Sequence, residues 1–376
     1  MPSKAFLTAL FLLVSIMTVP TLSSQNMHAH PERGLNYLSL SHDYSILHTS
    51  NETLIRDFSR FHQDGIDVIS LSLYWYRLEG NTQGSYDGLH PDGSPYGERF
   101  LNDVKRVITV ANQNAIKVLV TFHTLWGVQD SVWCTPKYVR DPISNVSDGL
   151  AVVRSADMRE AFVNMFNHTV QYLAETSGIW AYALLNEPWY WGRTSNEHDF
   201  VTDNGKTQKE NFISLIEKLS SIVKKYDNHP TTVRFISSKY WNGSVFNLFE
   251  RDWTWDATLL NSLDFIGFNV YPGGHGDFAA LKILDTLRMN VEQAVGKNKK
   301  VWITEFGYPS DDDSEQQAAY KSYLNSFKDL SLDGLIAWYW RGDSPKQNPG
   351  LPGKGNNLCS DSLGTPRPAY NEFLML

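Results

Sequence analysis

Two glutamates occupy the same kind of position in this chain. Glu187 follows the apolar run Ile179–Leu185 in the tripeptide Asn186-Glu187-Pro188, and Glu305 follows Lys300–Thr304, just ahead of Phe306-Gly307. Two carboxyl groups that face each other can split an acetal. One gives a proton to the leaving oxygen while the other attacks or stabilises the anomeric carbon. That division of labour needs one neutral and one ionised carboxyl at the same pH. Close approach supplies it, because two like charges a few ångströms apart do not both ionise easily. Either glutamate alone reads more simply as a solvated loop charge or the neighbour of a helix N-cap. Both together, each at the end of a strand, point to chemistry.

For such distant residues to meet, their strands must belong to one sheet. Short β-branched or apolar runs recur at Gly34–Leu40, Val68–Leu73, Lys117–Phe122, Ile179–Leu185, Thr232–Ser237, Asp264–Asn269, Lys300–Thr304 and Leu335–Trp340. Segments with helical spacing lie between them: Glu52–Gln63, Arg99–Asn112, Met158–Glu175, Glu210–Lys225, Leu281–Val295 and Glu315–Leu330, with only a short candidate, Asp256–Asn261, in the fifth connection. Continuously apolar strands suit a parallel sheet buried on both faces. Eight of them alternating with helices predict an α/β fold, a (β/α)8 TIM barrel forming a single catalytic domain over residues 25–376. The competing open, doubly wound sheet usually carries a glycine-rich turn after its first strand. Here that turn reads Ser39-Leu40-Ser41-His42, without glycine.

Barrel enzymes place their chemistry at the C-terminal strand ends. Those ends hold Glu187 on the fourth strand and Glu305 on the seventh, three strands apart in a ring of eight and so nearly opposite. They also hold His123 on the third, Asn269-Val270-Tyr271 on the sixth and Trp338-Tyr339-Trp340 on the eighth. Asn-Glu-Pro after the fourth strand and Thr-Glu-Phe-Gly after the seventh resemble the signature of clan A glycoside hydrolases, most closely family 5, the cellulase and β-mannanase group. The likeness runs from Arg33-Gly34-Leu35-Asn36 to Trp338-Tyr339-Trp340. It implies a retaining, cofactor-free hydrolase of β-linked oligo- or polysaccharides, with Glu187 as acid/base and Glu305 as nucleophile. It further implies that Asn186 binds the sugar 2-hydroxyl, that Tyr271 touches the nucleophile, that His123 lines the reacting subsite, and that Trp338 or Trp340 forms its floor. Two positions depart from family 5. The second strand reads Ile69-Ser70-Leu71-Ser72 where the family has an arginine, leaving Arg77, Arg33 and Arg234 as candidates to keep Glu305 ionised. Asn269-Val270-Tyr271 stands where the family often has His-x-Tyr. Gly307-Tyr308-Pro309-Ser310 keeps a β-1,3-glucanase open, and a galactanase, an exo-glycosidase and an inactive sugar-binding barrel remain alternatives.

Of the 12 tryptophans, Trp75, Trp126, Trp133, Trp189, Trp191, Trp241, Trp253, Trp255, Trp338 and Trp340 fall at strand ends or in the loops beyond, whereas Trp180 and Trp302 lie at strand starts or interiors. A rim of indoles suits a sugar chain, with Trp126 and Trp189 expected against substrate; the plainer reading is loop packing. His28-Ala29-His30 has a metal-binding spacing but precedes the first strand, and His123 has no second ligand at fixed spacing, so no metal is expected. Asp311, Asp312 and Asp313 read as the cap of the following helix.

The remaining features concern setting. Lys4, the apolar run Ala5–Val19 and the small polar stretch Thr21–Ser24 read as a signal peptide over residues 1–24, too short for a comfortable membrane span, so the protein is expected to be secreted and monomeric. A net charge of −8 without a basic cluster argues against a nucleic-acid partner. Export permits a Cys134–Cys359 disulfide and glycosylation at Asn51, Asn145, Asn167 and Asn242 without requiring either.

Overall fold

Strands that are apolar at every position need cover on both faces, and this chain obtains it by closing its sheet on itself. The computed structural model describes residues 31–37, 49–91, 93–123, 135–142, 145, 149–188, 202–236, 256–270, 289–340, 358–360 and 364–376. The strands are β1 Glu32–Asn36, β2 Val68–Tyr74, β3 Lys117–His123, β4 Ile179–Asn186, β5 Thr231–Ile236, β6 Phe265–Val270, β7 Lys300–Phe306 and β8 Gly334–Trp338. Each pairs in parallel with its neighbours, and β8 pairs back onto β1, completing an eight-stranded (β/α)8 barrel. Strand ends move slightly from expectation. β1 stops at Asn36, and β8 stops at Trp338 instead of reaching Trp340.

Helices α1 Asn51–Gln63, α2 Glu98–Gln113, α3 Ala156–Leu173, α4 Gln208–Tyr226, α5 Ala257–Asn261 and α6 Asp313–Phe327 fill the connections, and residues 289–295 are helical before β7. The fifth connection holds only the short α5, capped by the Asp256 carboxylate on the Thr258 and Leu259 N–H groups. Asp312 caps α6 on Ser314 and Glu315, which gives the aspartate run its structural use. Several elements have no counterpart in the expected pattern: a small hairpin of Asp87–Leu89 with Pro95–Gly97, the short helices Trp75–Glu79 and Ala151–Arg154, and a last helix, α7 Pro368–Leu374.

The barrel interior is apolar toward the N-terminal strand ends. Val68, Leu119, Ala181, Ala183, Phe265, Trp302 and Ile336 form one cluster there, with Trp180 packed against it. The Trp180 and Trp302 rings lie 4.6 Å apart and close the lower opening. The Trp302 ring needs Gly334 beneath it, since a Cβ at Gly334 would lie 2.4 Å from that ring. Gly334→Ala is therefore expected to cost about 1–3 kcal/mol through overpacking, read as a lower Tm. Unchanged stability in that variant would contradict this packing.

Candidate active site

Above the tryptophan layer the interior becomes polar, and one residue organises it. Arg234 points inward from β5 and is fully buried. Its Nη2 donates to the Glu305 carboxylate at 2.5 Å and to the Thr304 carbonyl at 2.8 Å. Nη1 donates to Ser70 Oγ on β2 at 3.2 Å and to Thr121 Oγ1 on β3 at 3.4 Å. Nε donates to Asn269 Oδ1 on β6 at 3.2 Å. Of the three candidate arginines, this is the one beside Glu305. Arg33 donates to the Leu374 carbonyl and Arg77 to Ser94, both away from Glu305.

Asn269 links the two carboxyl groups. Its Nδ2 lies 3.0 Å from Glu187 Oε1, 3.2 Å from Glu305 Oε2 and 3.1 Å from Asn186 Oδ1. Consecutive residues in a regular strand face opposite ways, yet both Asn186 and Glu187 reach Asn269, and so do both Thr304 and Glu305. Backbone irregularities permit this. Pairing of β6 with β7 slips between Phe268 and Asn269, so Asn269 faces Glu305 and Thr304 becomes the extra residue. Pairing of β4 with β5 slips between Ala183 and Asn186, and Glu187 then turns with φ 50°, its N–H held by the Arg234 carbonyl at 2.8 Å. Bulges re-aim side chains in this way at barrel rims.

The electrostatics separate the two glutamates. Burial and then the charge of Glu305 push the Glu187 carboxyl up to about 8; the Asn269 bond and Arg234 offset part of that rise. Glu187 thus carries a proton near neutral pH. Glu305 has Arg234 against it. Burial, and then the Arg234 charge, hold the His123 imidazole well below its ordinary value, so it is neutral. His123 is buried, its ring lies tilted by 31° against Tyr74 of β2 at 5.0 Å, and its Nε2 has no hydrogen-bond partner among the described residues.

The structure thus brings together Glu187, Glu305 and Asn186, with His123 and Trp338 at the C-terminal ends of β3 and β8. Trp340 is a correction. Because β8 ends at Trp338, the inward alternation does not carry on to Trp340, which is fully buried between Phe61 of α1 (5.0 Å) and Tyr370 of α7 (4.9 Å) in the helix shell. Trp75 is also packing and not rim: it bonds Glu79 at 2.7 Å and meets Phe162 of α3 edge-on at 5.1 Å. Tyr271, Trp126, Trp133, Trp189, Trp191, Trp241, Trp253, Trp255, Cys134 and the His28–His30 pair lie outside the described residues, as does any Cys134–Cys359 bridge. The Tyr308-Pro309-Ser310 stretch has a structural account, since the Tyr308 and Ser310 hydroxyls both donate to Glu315 of α6, at 2.7 and 2.6 Å. Ser70, Thr121 and Thr304 escaped the sequence reading. Their signal was present, as polar residues in otherwise apolar strands.

The sequence profile "Cellulase (glycosyl hydrolase family 5)" matches residues 35–344. No curated protein matches the chain significantly by sequence. Among solved structures, a GH5_18 from Bifidobacterium longum subsp. infantis superposes with a TM-score of 0.67 at 14% identity, over 92% of this chain and 78% of that one. The hyperthermostable endo-1,4-β-D-mannanase of Thermotoga petrophila RKU-1 gives 0.64 at 15%, over 92% and 98%. The endo-1,4-β-mannanase of Rhizomucor miehei gives 0.61 at 17%, over 92% and 95%. At such identities the likeness speaks for the fold.

Removing the guanidinium should expose how much the site depends on it. Arg234→Met leaves a buried carboxylate without its counter-charge and is expected to lower stability by about 3–5 kcal/mol at neutral pH. Arg234→Met/Glu305→Gln should melt higher than the single variant; a double variant no more stable than Arg234→Met would show that the ion pair is not the source of the loss.

Proposed function

The chain belongs to glycosyl hydrolase family 5, and from that premise we propose that it cleaves β-glycosidic bonds of glucan- or mannan-like chains by double displacement, retaining the anomeric configuration. One observation carries the reading. Both carboxyls accept from the single Asn269 Nδ2, so the two bonded oxygens lie no farther apart than the two bonds laid end to end, about 6.2 Å. Inverting enzymes hold their carboxyls roughly 6.5–9.5 Å apart to admit a water, and retaining ones about 5–5.5 Å. The bound falls short of the inverting range.

In this reading Glu305, kept anionic beside Arg234, attacks the anomeric carbon. Glu187 delivers its proton to the leaving oxygen. Esterification removes the negative charge on Glu305, and with it part of what raised Glu187's proton affinity. Glu187, now a carboxylate, deprotonates the water that releases the sugar and regains its proton. Asn186 and the unpartnered His123 Nε2 are proposed to bind hydroxyls of the reacting sugar, Trp338 to floor it, and Tyr271, Trp126 and Trp189 to complete the subsites. The likeness to endo-1,4-β-mannanases, and to a GH5_18 variant solved with Manβ1-4GlcNAc, favours β-mannosides as the first substrates to try.

We further propose that residues 1–24 direct export and that the mature protein is a secreted monomer, glycosylated at its accessible sequons. Among the described residues no helix is long and apolar enough to cross a membrane.

A panel of β-mannans, β-glucans, galactans and aryl β-glycosides tests the reading. Wild type should turn over at least one, and Glu187→Gln and Glu305→Gln should each lose several orders of magnitude at equal folded concentration. Since Glu187 must be protonated for the first step, kcat/KM should fall as pH rises through about 8, and this limb should vanish in Glu187→Gln. Turnover that persists in both variants would refute the assignment. Binding without turnover in wild type would make the chain a sugar-binding barrel.

A further inference from the structure

The side-chain oxygen of Asn269 accepts from Arg234 Nε at 3.2 Å and from Thr304 Oγ1 at 3.0 Å. The guanidinium has no acceptor. Turning the amide round would set N–H against N–H in a dry site, so the oxygen must face Arg234 and the Nδ2 must face the mouth. There Nδ2 meets three acceptors, Glu187 Oε1, Glu305 Oε2 and Asn186 Oδ1, at 3.0, 3.2 and 3.1 Å. It has two hydrogens. It cannot serve all three well at once, and bonds to ionised acceptors are the stronger ones. In the resting site the ionised partner is Glu305. In the glycosyl-enzyme it is Glu187.

We propose that Asn269 is a positioning residue whose two N–H groups follow the negative charge from Glu305 to Glu187 and back during each turnover. The proposal rests on the double-displacement reading above. Among the described residues Asn269 is the side chain that hydrogen-bonds both carboxyls, while Arg234 bonds only Glu305 and reaches Glu187 through its charge. Its other partners among the described residues, Thr304 on β7 and Asn186 on β4, carry no charge, and the buried imidazole of His123 on β3 is neutral.

The pH dependence of kcat/KM in Asn269→Ala and in the isosteric Asn269→Asp tests this. A donor to a carboxylate favours its charged form, so losing it makes each carboxyl hold its proton more tightly. The acid limb, set by the nucleophile, and the alkaline limb, set by the acid, should therefore both move to higher pH. The expected shift is about one pH unit or more in Asn269→Ala and larger in Asn269→Asp, which adds a charge. A titration of 13C-carboxyl-labelled Glu187 in folded Asn269→Ala reads the same upward shift without turnover. A bell that falls in height with both limbs in place, a bell in which one limb moves alone, or an unmoved Glu187 titration would overturn the proposal. An alkaline limb that survives in Glu187→Gln would sink the double-displacement reading and this proposal with it. A limb that vanishes there but stays put in both Asn269 variants would sink this proposal alone.

Discussion

All five N–H donors of Arg234 are committed: Nε to Asn269, Nη1 to Ser70 and Thr121, Nη2 to the Thr304 carbonyl and to Glu305. A buried cation is tolerable only when it is paired and its donors are satisfied, so this one side chain dictates what β2, β3, β6 and β7 place opposite it. A lysine, with three donors on a point charge, would leave part of that set unmet. The asymmetry of the glutamates follows. One carboxyl lies against the guanidinium; the other is buried beside its partner's charge and takes a proton. Two chemically identical side chains are set apart, one by the counter-charge against it and the other by burial beside its partner, which outweighs the opposing pull of the same guanidinium.

The precision of the arrangement comes from where regularity fails. An ideal parallel barrel would send Asn186 and Glu187 to opposite faces, and likewise Thr304 and Glu305. The register slips in β4–β5 and β6–β7 and the left-handed turn at Glu187 let both members of each pair act inside. A non-glycine residue with positive φ costs on the order of 1 kcal/mol. The Arg234 carbonyl, bonded to the Glu187 N–H, helps to hold it. Arg234 therefore fixes one glutamate through its side chain and the other through its backbone.

Much of this was legible beforehand. Eight apolar runs at regular spacing specify a barrel, and carboxylates at the fourth and seventh strand ends can only meet in its mouth. The arginine was not singled out, because Arg33, Arg77 and Arg234 differ in what lies across the barrel axis, which no local pattern records. Asn269 looked like a mere departure from His-x-Tyr; its use depends on a register slip that spacing does not reveal. Trp340 was misplaced for a related reason. Sequence tells which strand end a tryptophan follows, but where the strand stops decides whether the ring enters the mouth or the helix shell.

Ring closure has a consequence for how the chain is made. β1 pairs with β2 on one side and with β8 on the other, and the Arg33 guanidinium reaches the Leu374 carbonyl at 2.6 Å. β1, the first of the barrel strands to be synthesised, thus waits for residues 334–338 to pair its second edge. Any sheet that β1 to β7 form before then has two open edges, the state in which strands recruit other chains. The Glu305 carboxylate and the Arg234 guanidinium already lie on the nascent chain before β8 exists. The last strand adds no member to that ion pair. It turns an adhesive sheet into a sealed cup around it.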